Sequence, residues 1–220
     1  MVASPNDDEI DTRKIELVMH LRKQGITDAE VLSAMERVPR DLFVPEAFSA
    51  RAYEDQALPI ECGQTISQPY VVAYMTQALE VGPRMKVLEV GTGSGYQAAV
   101  LSHLCRRVYS IERYRTLLRE ADARFRKLDI TNITTKTGDG SKGWPEQAPF
   151  DRIIVTAAAE EVPFDLIDQL KIDGWMIIPV GRTTEDQALL KIRKTDKGLE
   201  QTKLLPVRFV PLVEGLPRES

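Results

Sequence analysis

The chain has 220 residues, 43% of them apolar and 28% charged, the balance of an ordinary globular protein and not of a disordered, fibrous or repeat-built one. Its net charge of −4 argues against a surface built to neutralise a polyanion, although a local basic groove stays open. No apolar run approaches the about 20 residues that cross a bilayer, no signal-peptide pattern opens the chain, and its two cysteines, Cys62 and Cys105, suggest no disulfide framework. The expectation is a single domain that acts as a monomer in the cytoplasm, with no membrane, metal or nucleic-acid partner.

The polar opening Met1–Glu9 is expected to fray, and Glu9 to Gln24 reads as an amphipathic helix with Ile10, Leu17, Val18 and Leu21 on one stripe, ended by Gly25. Thr27-Asp28-Ala29-Glu30 has the spacing of a capping box and opens a second helix through Met35, closed by Pro39. Phe43, Val44 and Phe48 are candidate anchors in the mixed stretch from Arg40 to Tyr53. From Tyr53 to Tyr70 runs a polar segment, after which Pro69 starts a helix through Met75 and Leu79. Two readings of it stand: a loop whose Ser67 or Gln68 caps the helix, or a site segment whose polar groups meet an anion at a helix N-terminus.

Val87 to Val90 is a short apolar run that reads as a buried strand, and it leads into Gly91-Thr92-Gly93-Ser94-Gly95 and a helix over Ala98–Leu104. Glycine suits a sharp turn that a ligand must approach closely. The pattern is G-x-G-x-G with Glu89 two residues ahead, and it misses the dinucleotide fingerprint because Tyr96 stands where the third glycine belongs. An acid before such a loop suits a ligand with a cationic amine, so S-adenosylmethionine is favoured over NAD.

Arg107 to Ile111 is the next strand, with Glu112 at its end, 21 positions after Gly91 and close to the about 20 expected of an acid that accepts ribose hydroxyls. The alternative for Glu112 is a charge that complements the following helix, Tyr114 to Leu128. The basic residues of that helix are interleaved with Glu120 and Asp122 and read as a solvated face. Ile133 to Thr137 is a third strand ending in Gly138-Asp139-Gly140, which can bind an adenine edge or make a simple turn. Phe150 to Thr156 is a fourth strand, Pro163 to Leu170 a helix and Gly174 to Val180 a fifth strand. Ala188–Arg193 and Leu204–Val210 read as strands around a charged turn at Lys194–Gly198. This alternation predicts an α/β, Rossmann-like, doubly wound and mostly parallel sheet with an antiparallel C-terminal edge and an N-terminal helical cap. Within it, residues 1–80 form the cap and site segment, 81–185 the cofactor-binding core, and 186–220 the C-terminal strands and tail. The glycine loop, Glu112 and Asp139 all fall at strand ends, where such sheets bind ligands.

Gly63-Gln64-Thr65-Ile66-Ser67-Gln68-Pro69, the run Val87–Ala99, Val108–Arg113, Phe150–Ala158, Ile178–Gly181 and Val207–Leu212 occur together and in order. In these residues the chain resembles the protein-L-isoaspartate O-methyltransferase family of class I S-adenosylmethionine-dependent methyltransferases. The likeness covers nearly the whole chain, and its most specific parts are Thr65-Ile66-Ser67-Gln68-Pro69 and the tail. It implies repair of isoaspartyl proteins and peptides by methylation of the free α-carboxylate, with S-adenosyl-L-homocysteine as the other product and a succinimide on the way back to aspartate.

The resemblance also implies a site. Ser67 would aim the substrate carboxylate as the catalytic residue, with Thr65 and Ile66 beside it and Gln68 and Pro69 walling the site over the methyl donor. Glu89, Gly91, Thr92, Gly93 and Gly95 would hold the methionine part, Glu112 the ribose, and Asp139 and Gly140 the adenine. Val207, Arg208, Phe209, Val210 and Leu212 would pair with the substrate peptide as an added strand, or else be an edge strand that only closes the fold. A carboxylate is already ionised at neutral pH, so attack on a sulfonium methyl requires no general base and no metal. His20 and His103 are accordingly expected to be structural. Rival readings are weaker: Thr156-Ala157-Ala158-Ala159 stands where adenine methylases carry a proline-rich motif, and neither cysteine is placed as a base-attacking nucleophile.

Overall fold

A computed structural model describes residues 7–217, with side chains from Thr12 onward. Helix α1 (Asp7–Lys23) starts two residues before the predicted Glu9, within the stretch Met1–Glu9 expected to fray, and it turns Leu17 and Leu21 inward and half-buries Val18; residues 1–6 and the side chain of Ile10, expected on the same stripe, lie outside the described residues. Helix α2 (Ala29–Arg37) starts one residue later than the capping-box spacing predicts. The Asp28 carboxylate accepts from the amides of Glu30 and Val31, at 2.9 and 3.2 Å, while the amide of Thr27 donates to Gln77 Oε1 at 2.8 Å. A carboxylate that reaches two free amides displaces the threonine from the cap.

The polar segment that follows is tied into a small hairpin, β1 (Leu58–Pro59) antiparallel to β2 (Thr65–Ile66). Helix α3 (Pro69–Leu79) has Pro69 in its first turn, and neither Ser67 nor Gln68 caps it. The cap comes from a distance: Asp55 Oδ1 accepts the Tyr70 amide at 2.8 Å.

Alternating strands and helices then build the sheet: β3 (Lys86–Val90), α4 (Tyr96–Ser102), β4 (Arg107–Glu112), α5 (Arg115–Lys127), β5 (Ile133–Thr137), β6 (Phe150–Val155), α6 (Phe164–Asp168), β7 (Leu170–Val180), β8 (Ala188–Thr195) and β9 (Gly198–Pro206). The seven strands lie in the order β5-β4-β3-β6-β7-β8-β9. The first five in that row are parallel, and β8 and β9 are antiparallel. The order reverses between β3 and β6, so the crevice beyond their carboxyl ends is the switch point where such sheets take ligands. Apart from Lys86, Glu89, Asp151 and Arg152, strands β3 and β6 are apolar, because both faces are covered: Val87 and Ile154 pack with Leu21, Met35 and Phe43, and Leu88 and Ile153 with Leu166.

The expected fold class holds, but the C-terminal third departs from the predicted elements. Helix α6 spans only five residues, because Leu170 already pairs with Phe150 as the start of β7. Strand β9 occupies residues 198–206, not 204–210. Its first six residues are exposed, so the strand leaves no apolar alternation to read. Val207–Leu212 is therefore not an edge strand. It crosses the ends of the parallel strands: the Val207 amide donates to the Gln187 carbonyl, the Ala158 amide to the Val210 carbonyl, and the Leu212 amide to the Ala158 carbonyl.

Candidate functional site

The carboxyl ends of β3, β4 and β6 open into a cavity whose space, counted out to and including its open mouth, is about 790 Å³. Gly91, Thr92 and Gly93 form its floor with Ile111, Glu112 and Gly140; Thr65, Ile66 and Ser67 close one side, and Val210, Leu212 and Val213 roof it. A second opening, a groove, is lined by Ala57, Gln68, Tyr70, Val71, Thr184, Glu185 and the run Leu205–Val210. The two meet at Thr65, Ser67, Thr156 and Val210, which line both.

Local chemistry explains the floor. The amides of Gly91 and Thr92 both donate to the Ile111 carbonyl, which bends the chain sharply away from β3. Gly91 has φ +98°, and a Cβ there would stand 2.3 Å from Thr156 Oγ1; Gly95 has φ +93°, and a Cβ would stand 2.8 Å from the Phe125 ring. These two glycines make room for the protein's own side chains. Only Gly93, in the middle, faces the cavity with free space, its nearest Cβ neighbour being Ile60 at 3.7 Å. Thr156 completes the turn by donating its hydroxyl to the carbonyls of Val90 and Gly91, at 3.0 and 2.7 Å.

Glu112 is buried at the cavity wall, and each of its oxygens already accepts one backbone amide: Gly93 at 2.8 Å and Tyr114 at 3.0 Å. Those bonds fix the carboxylate while leaving lone pairs for two further donors, which suits a vicinal diol. Beside it, Ile111, Val90, Leu212 and Val213 offer apolar surface with the backbone of Gly140. A hydroxylated sugar and a flat heterocycle, the two parts of a nucleoside, fit this pairing of a held carboxylate with an apolar cleft.

Other predicted positions lie behind the walls. Glu89 is fully buried beneath the loop, where Ser110 Oγ donates to its Oε2, and burial pushes its pKa up to about 8, with the charge of Glu112 adding to the rise. Gly95 faces Phe125, Pro69 starts α3, and Gln68 lines the groove while donating to Asp55 Oδ2 at 3.1 Å. Asp139 does not line the cavity. Its carboxylate accepts the amide and hydroxyl of Ser141 and the Gly215 amide; burial works against its charge, and these bonds overcome that and hold it below the usual carboxylate range. Of the tail, Val207, Arg208 and Phe209 line the groove, Leu212 lines the cavity, and Val210 lines both. Phe209 is fixed at both its amide and its carbonyl by the Gln187 side chain, at 2.6 and 3.1 Å. His20 meets Asp55 and Gln24, and His103 caps α4.

Sequence reasoning passed over Thr156 and Arg40. Thr156 lies one residue past a strand, next to a parallel strand's turn, and that position was the available signal. Arg40 is fully buried, stacks over Tyr96 at 4.7 Å, and donates to the carbonyls of Ala52 and Ser67, each at 2.8 Å. Nothing local marks it, because its partners lie 12 and 27 residues away.

Comparisons with known proteins agree on one family. The family model described as protein-L-isoaspartate(D-aspartate) O-methyltransferase matches residues 12–217. A protein-L-isoaspartate O-methyltransferase from Parvibaculum lavamentivorans is 66% identical over 215 residues, covering 97% of each chain. One from Paracoccus denitrificans is 60% identical over 211 residues, covering 96% of this chain and 98% of its own. Among solved structures, a protein-L-isoaspartate O-methyltransferase superposes with a TM-score of 0.82 at 31% identity, over 90% of this chain and 65% of that one, just under two thirds of its length. A Plasmodium falciparum structure assigned to the same activity, in complex with S-adenosyl-L-homocysteine, gives 0.79 at 27% identity over 92% of this chain and 99% of that one.

Proposed function

The chain belongs to the protein-L-isoaspartate O-methyltransferase family, and from that membership we propose that its two openings divide one reaction, the cavity holding the methyl donor and the groove the damaged peptide. The reaction is the repair methylation of isoaspartyl residues, with S-adenosylmethionine as the donor. The observation that carries the division is the set Thr65, Ser67, Thr156 and Val210, which lines both openings and is where donor and acceptor can meet.

S-adenosylmethionine, when bound, supplies an electrophilic methyl group on a sulfonium. Glu112 would take the ribose hydroxyls, Gly140 with Val90, Leu212 and Val213 the adenine, and Gly91, Thr92 and Gly93 the methionine part. Glu89, Gly95, Pro69 and Asp139 would act from behind the walls, by setting the shape of the residues that touch the ligand. The rest is done by alignment and exclusion of water. Ser67 donates a hydrogen bond that aims one oxygen of the substrate carboxylate, and Thr65, Ile66 and Gln68 close the site around it. No residue has to remove a proton, since a carboxylate is ionised at neutral pH. The following backbone amide nitrogen then attacks the methyl ester and expels methanol to close a succinimide, which adds water and opens partly to normal aspartate.

Val207, Arg208 and Phe209 form the groove wall along which the peptide lies. The Gln187 side chain occupies the backbone of Phe209, so the main-chain groups left for pairing along this wall are, among the described residues, those of Arg208, whose side chain is exposed, with the Val207 carbonyl and the Val210 amide. We read the chain as one domain acting as a monomer in the cytoplasm. The cap shares one core with a sheet face, and two free cysteines suit a reducing compartment. The test is transfer of radiolabelled methyl to an isoaspartyl peptide, its aspartyl twin and RNA. Base-labile label on the first alone is the expected result; label on the twin or on RNA would contradict it.

A further inference from the structure

Glu89 sits at the C-terminal half of β3 with no exposed surface. Its Oε1 has no hydrogen-bond partner among the described residues, and its Oε2 accepts from Ser110 Oγ. Ser110 Oγ lies 2.6 Å from Thr92 Oγ1, and Thr92 lines the cavity. An acid, two hydroxyls and the cavity wall thus stand in one line.

Such a chain has two polarities, because each hydroxyl carries a single proton. With Glu89 ionised, Ser110 donates to it, Thr92 donates to Ser110, and Thr92 turns lone pairs toward the cavity. With the proton on Glu89 Oε2, both hydroxyls reverse, and Thr92 points its proton at the cavity. The first state receives a cation and the second repels one. We propose that Glu89, Ser110 and Thr92 form a proton-linked relay, in which binding of the positively charged methyl donor expels the proton of Glu89 to solvent. The proposal rests on the reading that the cavity takes S-adenosylmethionine.

The surroundings of Glu89 favour its neutral form in the free protein. On β4 the facing groups are Ser110 and Glu112, whose charge opposes ionisation; on β6 the paired residue is Ile154, and the Arg152 guanidinium is spent on the carbonyls of Leu79 and Glu80. Helices α3 and α4 carry no charged residue, their titratable groups being the phenols of Tyr70, Tyr74 and Tyr96. Burial without a cation raises a carboxyl group's pKa, here to about 8, so at neutral pH the free protein holds the proton. A cation brought to Thr92 reverses that balance.

Calorimetry of S-adenosylmethionine binding in phosphate and in Tris, from pH 6 to pH 9.5, counts the protons released. The wild type should release close to one proton more per ligand than Glu89→Gln at pH 7, and the excess should vanish above pH 9, where Glu89 is already ionised. The free ligand's amine titrates alike in both experiments, and any proton that the bound amine takes up beside the ionised Glu89 is subtracted by repeating the titration with S-adenosyl-L-homocysteine, which has the same amine and no sulfonium charge. Ser110→Ala, which strips the last hydrogen bond from the carboxylate, should move the half-release pH upward, a shift that a merely structural serine would not cause. Equal proton counts in wild type and Glu89→Gln, with binding heat present in both, would overturn the relay alone. If Glu89→Gln fails to fold, an unmoved half-release pH in Ser110→Ala overturns it. Absence of binding heat in the wild type would instead remove the cavity reading, and the relay with it.

Discussion

The guanidinium of Arg40 holds the main-chain carbonyl of Ser67 at 2.8 Å, from a position with no exposed surface. The same group grips Ala52 through Nε, so one buried cation ties the residue at the join of cavity and groove to the N-terminal cap. A planar fork with several fixed donors can hold two carbonyls at once, and a lysine ammonium on a flexible stem cannot hold the same geometry. Arg40→Lys should fold, bind S-adenosylmethionine as the wild type does, and lose about tenfold or more in kcat/KM on an isoaspartyl peptide. Arg40→Leu leaves buried carbonyls without donors and should lower stability by about 2–5 kcal/mol. Thermal melts and steady-state kinetics on both variants check this.

The glycines of the loop are not equivalent. Gly91→Ala combines a left-handed backbone with a Cβ 2.3 Å from Thr156 Oγ1, so it should lower the melting temperature and weaken cofactor binding together. Gly93→Ala meets no close neighbour and should cost only about 1–2 kcal/mol of backbone strain, while still weakening cofactor binding by filling the cavity floor. Melting curves set beside calorimetry separate the two.

Gln187 is the anchor of the tail, since its buried side chain occupies both main-chain groups of Phe209. Gln187→Ala should raise the peptide KM several-fold and leave cofactor affinity less affected. Deleting everything after Leu205 should weaken both, because Leu212 and Val213 roof the cavity while Val207 and Phe209 line the groove. The relevant measurements are the peptide KM and the cofactor Kd in each variant.

Glu89 makes the stability of the free protein depend on pH. Its pKa is raised in the folded state from 4.5 to about 8, so the folded state binds the proton more tightly than the unfolded one. The stability this contributes is fully present below about pH 4.5 and is lost as pH rises through about 8. Across that window the melting temperature of the wild type should fall more steeply than that of Glu89→Gln, which has no proton to lose.

Where a function was written in contiguous residues, the sequence carried it. The apolar run Val87–Val90, the glycines after it and Glu112 are local patterns, and their spacing alone implied a cofactor edge. The roles of Asp55 at the start of α3 and of Arg40 behind Ser67 were illegible because each depends on residues brought together only by the fold. Strand β9 was missed for a different reason: an edge strand exposed on both faces has no apolar period. That miss shifted the tail, and with it Leu212, which lines the cavity and not the groove. The glycine loop shows a right position reached by an incomplete reason, since Gly91 and Gly95 yield space to Thr156 and Phe125 and not to a ligand.

The division of labour between cavity and groove stands or falls at Ser67, which lines both. The direct measurement is kcat/KM of Ser67→Ala on an isoaspartyl peptide, taken together with its calorimetric affinity for S-adenosylmethionine. A hydrogen bond to a charged group is worth about 1.5–3 kcal/mol, so kcat/KM should fall roughly 10- to 150-fold while cofactor affinity stays within about twofold. Undiminished kcat/KM, or a loss confined to cofactor binding, would contradict the account.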